Sequence, residues 1–228
     1  MLELNRLYNM DCMNGMQEFP DKFFNLAVVD VPYGLGASNI TKNKGRGKFA
    51  SSRDYKAFHG NDTRPPELEY FSELMRVSKH QIIWGANHFI SRIPFDTPCW
   101  IVWDKDNGNN DFADCELAWT SFNTPVRRFK FKWQGMLQGN MKDKETRIHP
   151  TQKPVALYSW ILSRYAKPGD KIIDTHAGSA SSLIACHKAG LDFIGFEIDP
   201  EYYAAANERL VAEMAQMSIF DCGEGFSC

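Results

Sequence analysis

The chain has 228 residues, of which 43% are hydrophobic and 24% charged, with a formal net charge of −2. That is the composition of a globular protein of one or two domains in water. No apolar run approaches the roughly 20 residues of a membrane span, and the overall charge gives no sign of a nucleic-acid partner. The opening Met1-Leu2-Glu3-Leu4-Asn5 lacks a basic region followed by an apolar one, so no secretory signal is expected. The six cysteines form no Cys-x-x-Cys pair and no zinc spacing with the histidines, which predicts free thiols, a reducing compartment and no metal.

In chain order, Asp11-Cys12 precedes a short predicted helix, and Pro20-Asp21 makes a turn. Asn25–Val29 is an apolar run bounded by turn residues, the pattern of a strand buried on both faces. It ends in Asp30-Val31-Pro32-Tyr33-Gly34. Pro32 fixes the turn and pushes Val31 toward an extended conformation. Such a strand end offers a fixed carboxylate, backbone carbonyls without strand partners and a flat ring, which together suit a planar base carrying an exocyclic amine. Residues 36–64 are rich in Gly, Ser, Lys and Asn and form a long loop, predicted to be mobile, with Lys42, Lys44, Arg46, Lys48 and Arg53.

Pro65-Pro66 opens a helix with Leu68, Phe71, Leu74 and Met75 on one side. His80–Trp84 and Cys99–Trp103 are predicted strands with a helical turn at Gly85–Ile90 between them, and Glu116–Ser121 is another strand. In Val126–Trp133, Phe129, Phe131 and Trp133 alternate with Arg128, Lys130 and Lys132, which predicts a strand or extended arm, and Gly135–Arg147 is expected to be loop. The last third reads helix Pro154–Ala166, strand Lys171–Asp174, small-residue loop Thr175–Ser182, helix to Lys188, strand Phe193–Glu197 and helix from Pro200 to about Met214, with a frayed tail from Ser218. That alternation predicts one α/β domain with a parallel sheet and right-handed crossovers.

In Asp174–Ser182 a strand enters a helix through Gly178, Ser179 and Ala180, where small side chains let a ligand approach the backbone. About twenty residues on, Glu197 ends the next strand, where nucleoside-binding α/β folds bond ribose hydroxyls. The loop has neither Gly-Lys-Ser/Thr nor Gly-x-Gly-x-x-Gly, so a nucleoside cofactor without a phosphate to grip, such as S-adenosyl-L-methionine, fits it.

With these elements in order, the chain resembles the N4/N6 amino-group DNA methyltransferases of the permuted β class. Asp30–Tyr33 is similar to their Asp-Pro-Pro-Tyr, with Val31 for the first proline. Asp11-Cys12 resembles their N-terminal cofactor contact, and His149-Pro150-Thr151-Gln152-Lys153-Pro154 their motif before the first cofactor helix. Asp174–Ser182 resembles their glycine-rich cofactor loop, with Thr175-His176 for Pro-Phe and Ala180 for a glycine. Gly195–Asp199 resembles their ribose-binding strand.

The resemblance implies a Rossmann-like S-adenosylmethionine-dependent methyltransferase fold of the α/β class, a mostly parallel sheet with helices on both faces and circularly permuted motifs. It implies one domain over 1–228 with a target-recognition insertion at 104–148. Asp30, Val31, Pro32 and Tyr33 would act at the target base. Asp11, Cys12, Asp30, Thr151, Gln152, Lys153, Asp174, Ala177, Gly178, Ser179, Ala180, Glu197 and Ile198 would bind the cofactor, with His176 packing beneath it. Double-stranded DNA would lie against the 42–53 cations and Arg127, Arg128, Lys130 and Lys132, while Trp84, Trp100 and Trp160 belong to the core. The implied reaction is adenine-N6 methylation, since cytosine-N4 members usually carry Ser in place of Asp30. The alternatives are a cytosine-N4 methyltransferase and a degenerate, inactive DNA-binding module. A cytoplasmic enzyme of bacterial or phage restriction–modification, possible as a homodimer, completes the expectation.

Overall fold

The computed structural model describes residues 1–34, 64–108, 113–134, 137–142 and 144–221. The loop predicted at 36–64, with Lys42, Lys44, Arg46, Lys48 and Arg53, lies outside the described residues except for Arg64.

The described strands are β1 (Arg6–Asn9), β2 (Phe24–Val29), β3 (Ser78–Trp84), β4 (Trp100–Asp104), β5 (Cys115–Thr120), β6 (Arg127–Lys130), β7 (Trp133–Gln134), β8 (Leu137–Gln138), β9 (Lys171–Asp174) and β10 (Asp192–Glu197). The helices are α1 (Cys12–Gln17), α2 (Leu68–Val77), α3 (Val155–Tyr165), α4 (Ser181–Lys188) and α5 (Pro200–Asp221). The main sheet runs β1-β10-β9-β2-β3-β5-β4-β6. Only β5 is antiparallel to its neighbours, so the sheet is mostly parallel.

The apolar run of β2 serves both faces of the sheet. Leu26 and Val28 join Ile82, Trp84, Ile172 and Phe193 on the side covered by α3, α4 and α5. Ala27 and Val29 join Ile83, Ile173, Ile194 and Phe196 on the side covered by α1 and α2. Period-two alternation splits one continuous run between two cores, which is why the strand carries no polar face. Each fully buried Val or Ile contributes roughly 1.5–3 kcal/mol relative to exposure. The helices therefore lie on both faces, and the fold is the Rossmann-like methyltransferase fold.

Four details differ from the sequence expectation. β1 has one buried side chain, Leu7, and gave no periodic signal; it is held by its register on β10. Within Gly135–Arg147, expected as loop, Leu137–Gln138 pairs with Trp133–Gln134 as a small hairpin. The backbone of α5 continues to Asp221, past the expected end at Met214 and through the first residues of the expected frayed tail. Within 104–148, β5 and β6 are strands of the central sheet, so only the stretches around them stand outside it.

Candidate active site

The sheet order β1-β10-β9-β2 brings four parallel strands together with their carboxyl ends on one side. In open α/β sheets, ligands bind beyond the carboxyl ends of the strands where the strand order reverses. Here β9 and β2 are adjacent although they are separated by most of the chain, with Ala27 opposite Ile173. Asp174 ends β9, Glu197 ends β10, and Asn9 at the end of β1 stands opposite Glu197. Asp30 immediately follows β2.

The loop after β9 is built by its own polar groups. The Asp174 carboxylate accepts the His176 N–H at 3.0 Å and the Ser182 hydroxyl across the turn. Gly178, at φ +52°, presents its N–H to Glu197 Oε2 at 3.0 Å. Glu197 Oε1 accepts the Asp199 N–H at 2.8 Å, and Asp199 in turn caps α5 through the N–H groups of Glu201 and Tyr202. Burial pushes Asp174 up to about 7, with Asp30 and Glu197 adding to the rise against the bonds from Ser182 and His176. Burial likewise raises Glu197 to about 7 against the bonds from Asp199 and Gly178.

Ala180 stands where the resemblance has glycine, and its φ is +59°. The left-handed region costs a residue bearing Cβ about 1–2 kcal/mol. The fold keeps the glycine conformation without the glycine, and Ala180 is wholly buried. Arg209 of α5, which no motif signalled, braces this loop: its guanidinium donates to the Ser179 carbonyl at 2.8 Å, to Ser181 Oγ at 2.9 Å and to Glu145 at 2.7 Å.

The other predicted cofactor residues sit around the same strand ends. Asp11 caps α1 by accepting the Met13 N–H at 2.7 Å. Burial, then the neighbouring Asp11 charge, pushes the Cys12 thiol up to about 12. Ile198 is an exposed apolar side chain at the rim beside Glu197. Ala177 is buried, its N–H bonded to the Phe196 carbonyl at 2.9 Å. His149 packs beside Gly178, and its ring meets Tyr202 at 4.3 Å. Thr151 Oγ1 lies 3.0 Å from His149 Nδ1, while buried Gln152 shapes the preceding turn by accepting the Ile148 N–H at 2.9 Å. His176 packs edge-on against Tyr70, and burial lowers it to about 4, so it is neutral at neutral pH.

Lys153 is placed differently from its motif neighbours. Its side chain, only 4% exposed, puts Nζ 2.6 Å from Asp30 Oδ2, 3.0 Å from Glu116 Oε2 and 3.1 Å from Tyr33 Oη. The ammonium donates to Tyr33 Oη and pairs by charge with both carboxylates, Glu116 Oε2 having no aligned hydrogen-bond donor. Tyr33 Oη donates to Asp30 Oδ1 at 2.7 Å, which closes the ring. Burial opposes the Lys153 charge, but Asp30 and Glu116 outweigh it and hold the ammonium above its usual range. Burial pushes Asp30 up, with Lys153 opposing and Glu116 adding to the rise. Burial would raise Glu116 as well, yet Lys153 and Lys105 bring it to about 2.

Around this carboxylate the backbone is shaped to the ring. A side chain at Gly85, at φ +70°, would run into the Tyr33 ring, so glycine is required there. His88 stacks on Tyr33 at 5.1 Å and 17°. Val31 is 2% exposed within the core on the α1–α2 side, so the residue replacing proline is held by packing. Trp84 is wholly buried, while Trp100 and Trp160 are partly buried and packed against the cores. Glu116, Gly85 and His88 were not singled out by sequence: an isolated acid, glycine and histidine have no periodic or motif signal.

The expected alternation beyond β4 is present in part. Phe129, Phe131 and Trp133 form an aromatic row, with Phe129 also against Trp160 of α3. Arg127, Arg128 and Lys130 are exposed, though Lys130 pairs with Asp106 at 2.9 Å and Arg128 approaches Asp104 at 3.9 Å; Lys132 is partly buried.

A small-residue loop closed by Glu197 and a partly buried carboxylate with an aromatic neighbour, on adjoining strand ends, define the class as an α/β enzyme of methyltransferase fold. The DNA methylase family N6_N4_Mtase matches residues 66–208. The Type II methyltransferase M2.DpnII of Streptococcus pneumoniae is 36% identical over 87 residues, 38% of this chain and 32% of that protein's length. The Type II methyltransferase M.BglII of Bacillus subtilis is 25% identical over 95% of this chain and 72% of its own length. The M1.HpyAVI–SAM complex shares the fold at a TM-score of 0.56 and 21% identity, over 90% of this chain and 98% of that one. The chain belongs to the N6/N4 DNA methylase family. The matched residues include Lys153, Asp174 and Glu197 and begin after Asp30–Tyr33.

Proposed function

We propose that the chain transfers a methyl group from S-adenosyl-L-methionine to adenine N6 of a base flipped out of double-stranded DNA. The observation that carries this reading is the junction of two units: the Asp174–Glu197 loop and the Asp30–Tyr33 carboxylate and ring share neighbouring strand ends. The donor set suits the cofactor, because the acids ending β9 and β10 favour a ligand bearing hydroxyls and positive charge over one bearing phosphates. Glu197 would take the ribose hydroxyls, with Ala177, Gly178, Ser179 and Ala180 allowing close backbone approach and Asp11, Cys12 and Ile198 at the adenine side. When bound, S-adenosyl-L-methionine supplies an electrophilic methyl group.

The amine of adenine is a poor nucleophile because its lone pair is delocalised into the ring. Asp30 and the Val31 carbonyl would accept its two hydrogens and direct the lone pair, which is catalysis by positioning and by stabilising the positive charge that develops at nitrogen. As nitrogen gains the methyl group, its proton passes to Asp30, directly or through water. Extruding the base costs a few kcal/mol, and stacking on Tyr33 returns about 1–3 kcal/mol. The basic strand Arg127–Lys130 with Lys132, the cations at 42–53, and the stretches of 104–148 outside the sheet are the proposed DNA contacts, with binding that weakens as salt rises.

Tritiated-methyl transfer to unmethylated DNA, comparing the native chain with Asp30→Ala, tests the reading. Label that depends on Asp30 supports it, and equal label from both proteins refutes it.

A further inference from the structure

We propose that Glu116 is a positioning residue for the reaction, holding Lys153 between two carboxylates so that Asp30, kept ionised by the ammonium, also keeps its acceptor strength. The proposal rests on the methyl-transfer reading above. Glu116 is the second residue of β5, the one antiparallel strand among the described strands of the main sheet, and its register opposite Trp103 brings it to the catalytic end. Its two oxygens are divided: Oε1 takes Lys105 Nζ at 2.5 Å, and Oε2 takes Lys153 Nζ at 3.0 Å. Lys153 is thereby shared between Glu116 and Asp30, which it touches at 2.6 Å.

The physical need is a balance between two failures. Without a cation beside it, a buried Asp30 would take up a proton and could no longer accept the amine's hydrogens. With Lys153 wholly its own, Asp30 would be a weak acceptor, its lone pairs committed to the ammonium. A second carboxylate on the far side of Lys153 draws part of that positive charge away. Lys105 in turn keeps Glu116 ionised from the solvent side. The other titratable groups that face this cluster are Tyr33, Tyr158 of α3, Asp174 after β9 and His149, which the Lys153 charge reaches. None of them lies between the two carboxylates in the contacts of Lys153.

The test reads Asp30 directly. The carboxyl carbon signal of Asp30 is followed by NMR against pH in the full chain with labelled aspartate, assigned by loss of the signal in Asp30→Asn. In Lys153→Met the Asp30 midpoint is expected to rise by about 1–3 pH units, as for removal of an adjacent opposite charge. In Glu116→Gln it is expected to fall, by about one unit. The acid limb of the kcat profile moves in the same two directions, kcat of Glu116→Gln falls about tenfold, and cofactor Kd stays within about twofold. Glu116→Asp restores the native midpoint and most of the rate. A merely structural Glu116 would lower Tm without moving the Asp30 midpoint, and that result, or a shift of the same sign as in Lys153→Met, overturns the proposal. If the native chain methylates no DNA while the midpoints move as stated, the methyl-transfer reading fails and the charge-setting pair stands. If it methylates DNA and the midpoints stay fixed, the pair fails and the reading stands.

Discussion

The two halves of the site are assembled by different means. The proposed cofactor loop is held mainly by bonds within short stretches, Asp174 to His176 and Ser182, Glu197 to Asp199, Asp199 to Glu201 and Tyr202, with Gly178 to Glu197 and the Arg209 brace as its longer links. The catalytic cluster is held by charges from three distant stretches, with Asp30 and Tyr33, Glu116 and Lys153 meeting at one ammonium. A site made mainly of local caps is built within its own loop and depends on few distant residues, Arg209 foremost among them. A site made of a shared buried cation exists only once the whole sheet has folded, and it fails as a unit.

The largest effects should therefore fall on the catalytic cluster. Asp30→Ala is expected to lower methyl transfer by about 10²–10⁴-fold, the range for loss of a positioned acid–base group, measured as label incorporated per enzyme at saturating cofactor. Lys153→Met leaves two partly buried carboxylates facing each other without their shared cation and should cost up to about 3–5 kcal/mol of stability, read from urea unfolding at pH 7. Glu197→Gln puts an amide NH2, which cannot accept, where one carboxylate oxygen accepts the Gly178 or Asp199 N–H, so cofactor affinity should fall about 10–100-fold by calorimetry, with a smaller loss of Tm than in Lys153→Met. If Glu197→Gln proved more damaging to folding than Lys153→Met, the contrast between the halves would be wrong.

The same contrast has a pH signature. Asp174 and Glu197 are both raised to about 7 in the folded protein, above the ordinary carboxyl values of 3.8 and 4.5. A raised carboxyl gives stability that is fully present below its unfolded value and is lost as pH rises through the folded one. Without cofactor, Tm should thus fall between about pH 4.5 and 7.5, while cofactor binding tightens over the same range as Glu197 ionises. The smallest effect is expected at Ala180→Gly, which relieves a left-handed alanine and should stabilise by about 1 kcal/mol with the cofactor Kd unchanged, measured by thermal unfolding.

Legibility in the sequence followed the same division. The strands β2, β3, β9 and β10 are short apolar runs closed by turn residues, and the Thr175–Ser182 loop with Glu197 carries its function in its own spacing. The position of Asp30 could be read from where β2 ends. What binds Asp30 could not, because Glu116 is an isolated acid on a strand and its meeting with Lys153 depends on the sheet order β2-β3-β5. Lys153 is legible as part of a motif that implies a cofactor role, and in the structure its side chain contacts Asp30, Glu116 and Tyr33. β1, with a single buried side chain, and the hairpin of β7 and β8, two residues each, are too short to show a period.

The central claim is adenine-N6 methylation directed by Asp30. Unmethylated DNA treated with the native chain and isotopically labelled S-adenosyl-L-methionine, digested to nucleosides and resolved by mass spectrometry, tests it most directly. The expected result is label in N6-methyldeoxyadenosine alone, absent with Asp30→Ala. Label in N4-methyldeoxycytidine, or none above the Asp30→Ala background, would contradict it.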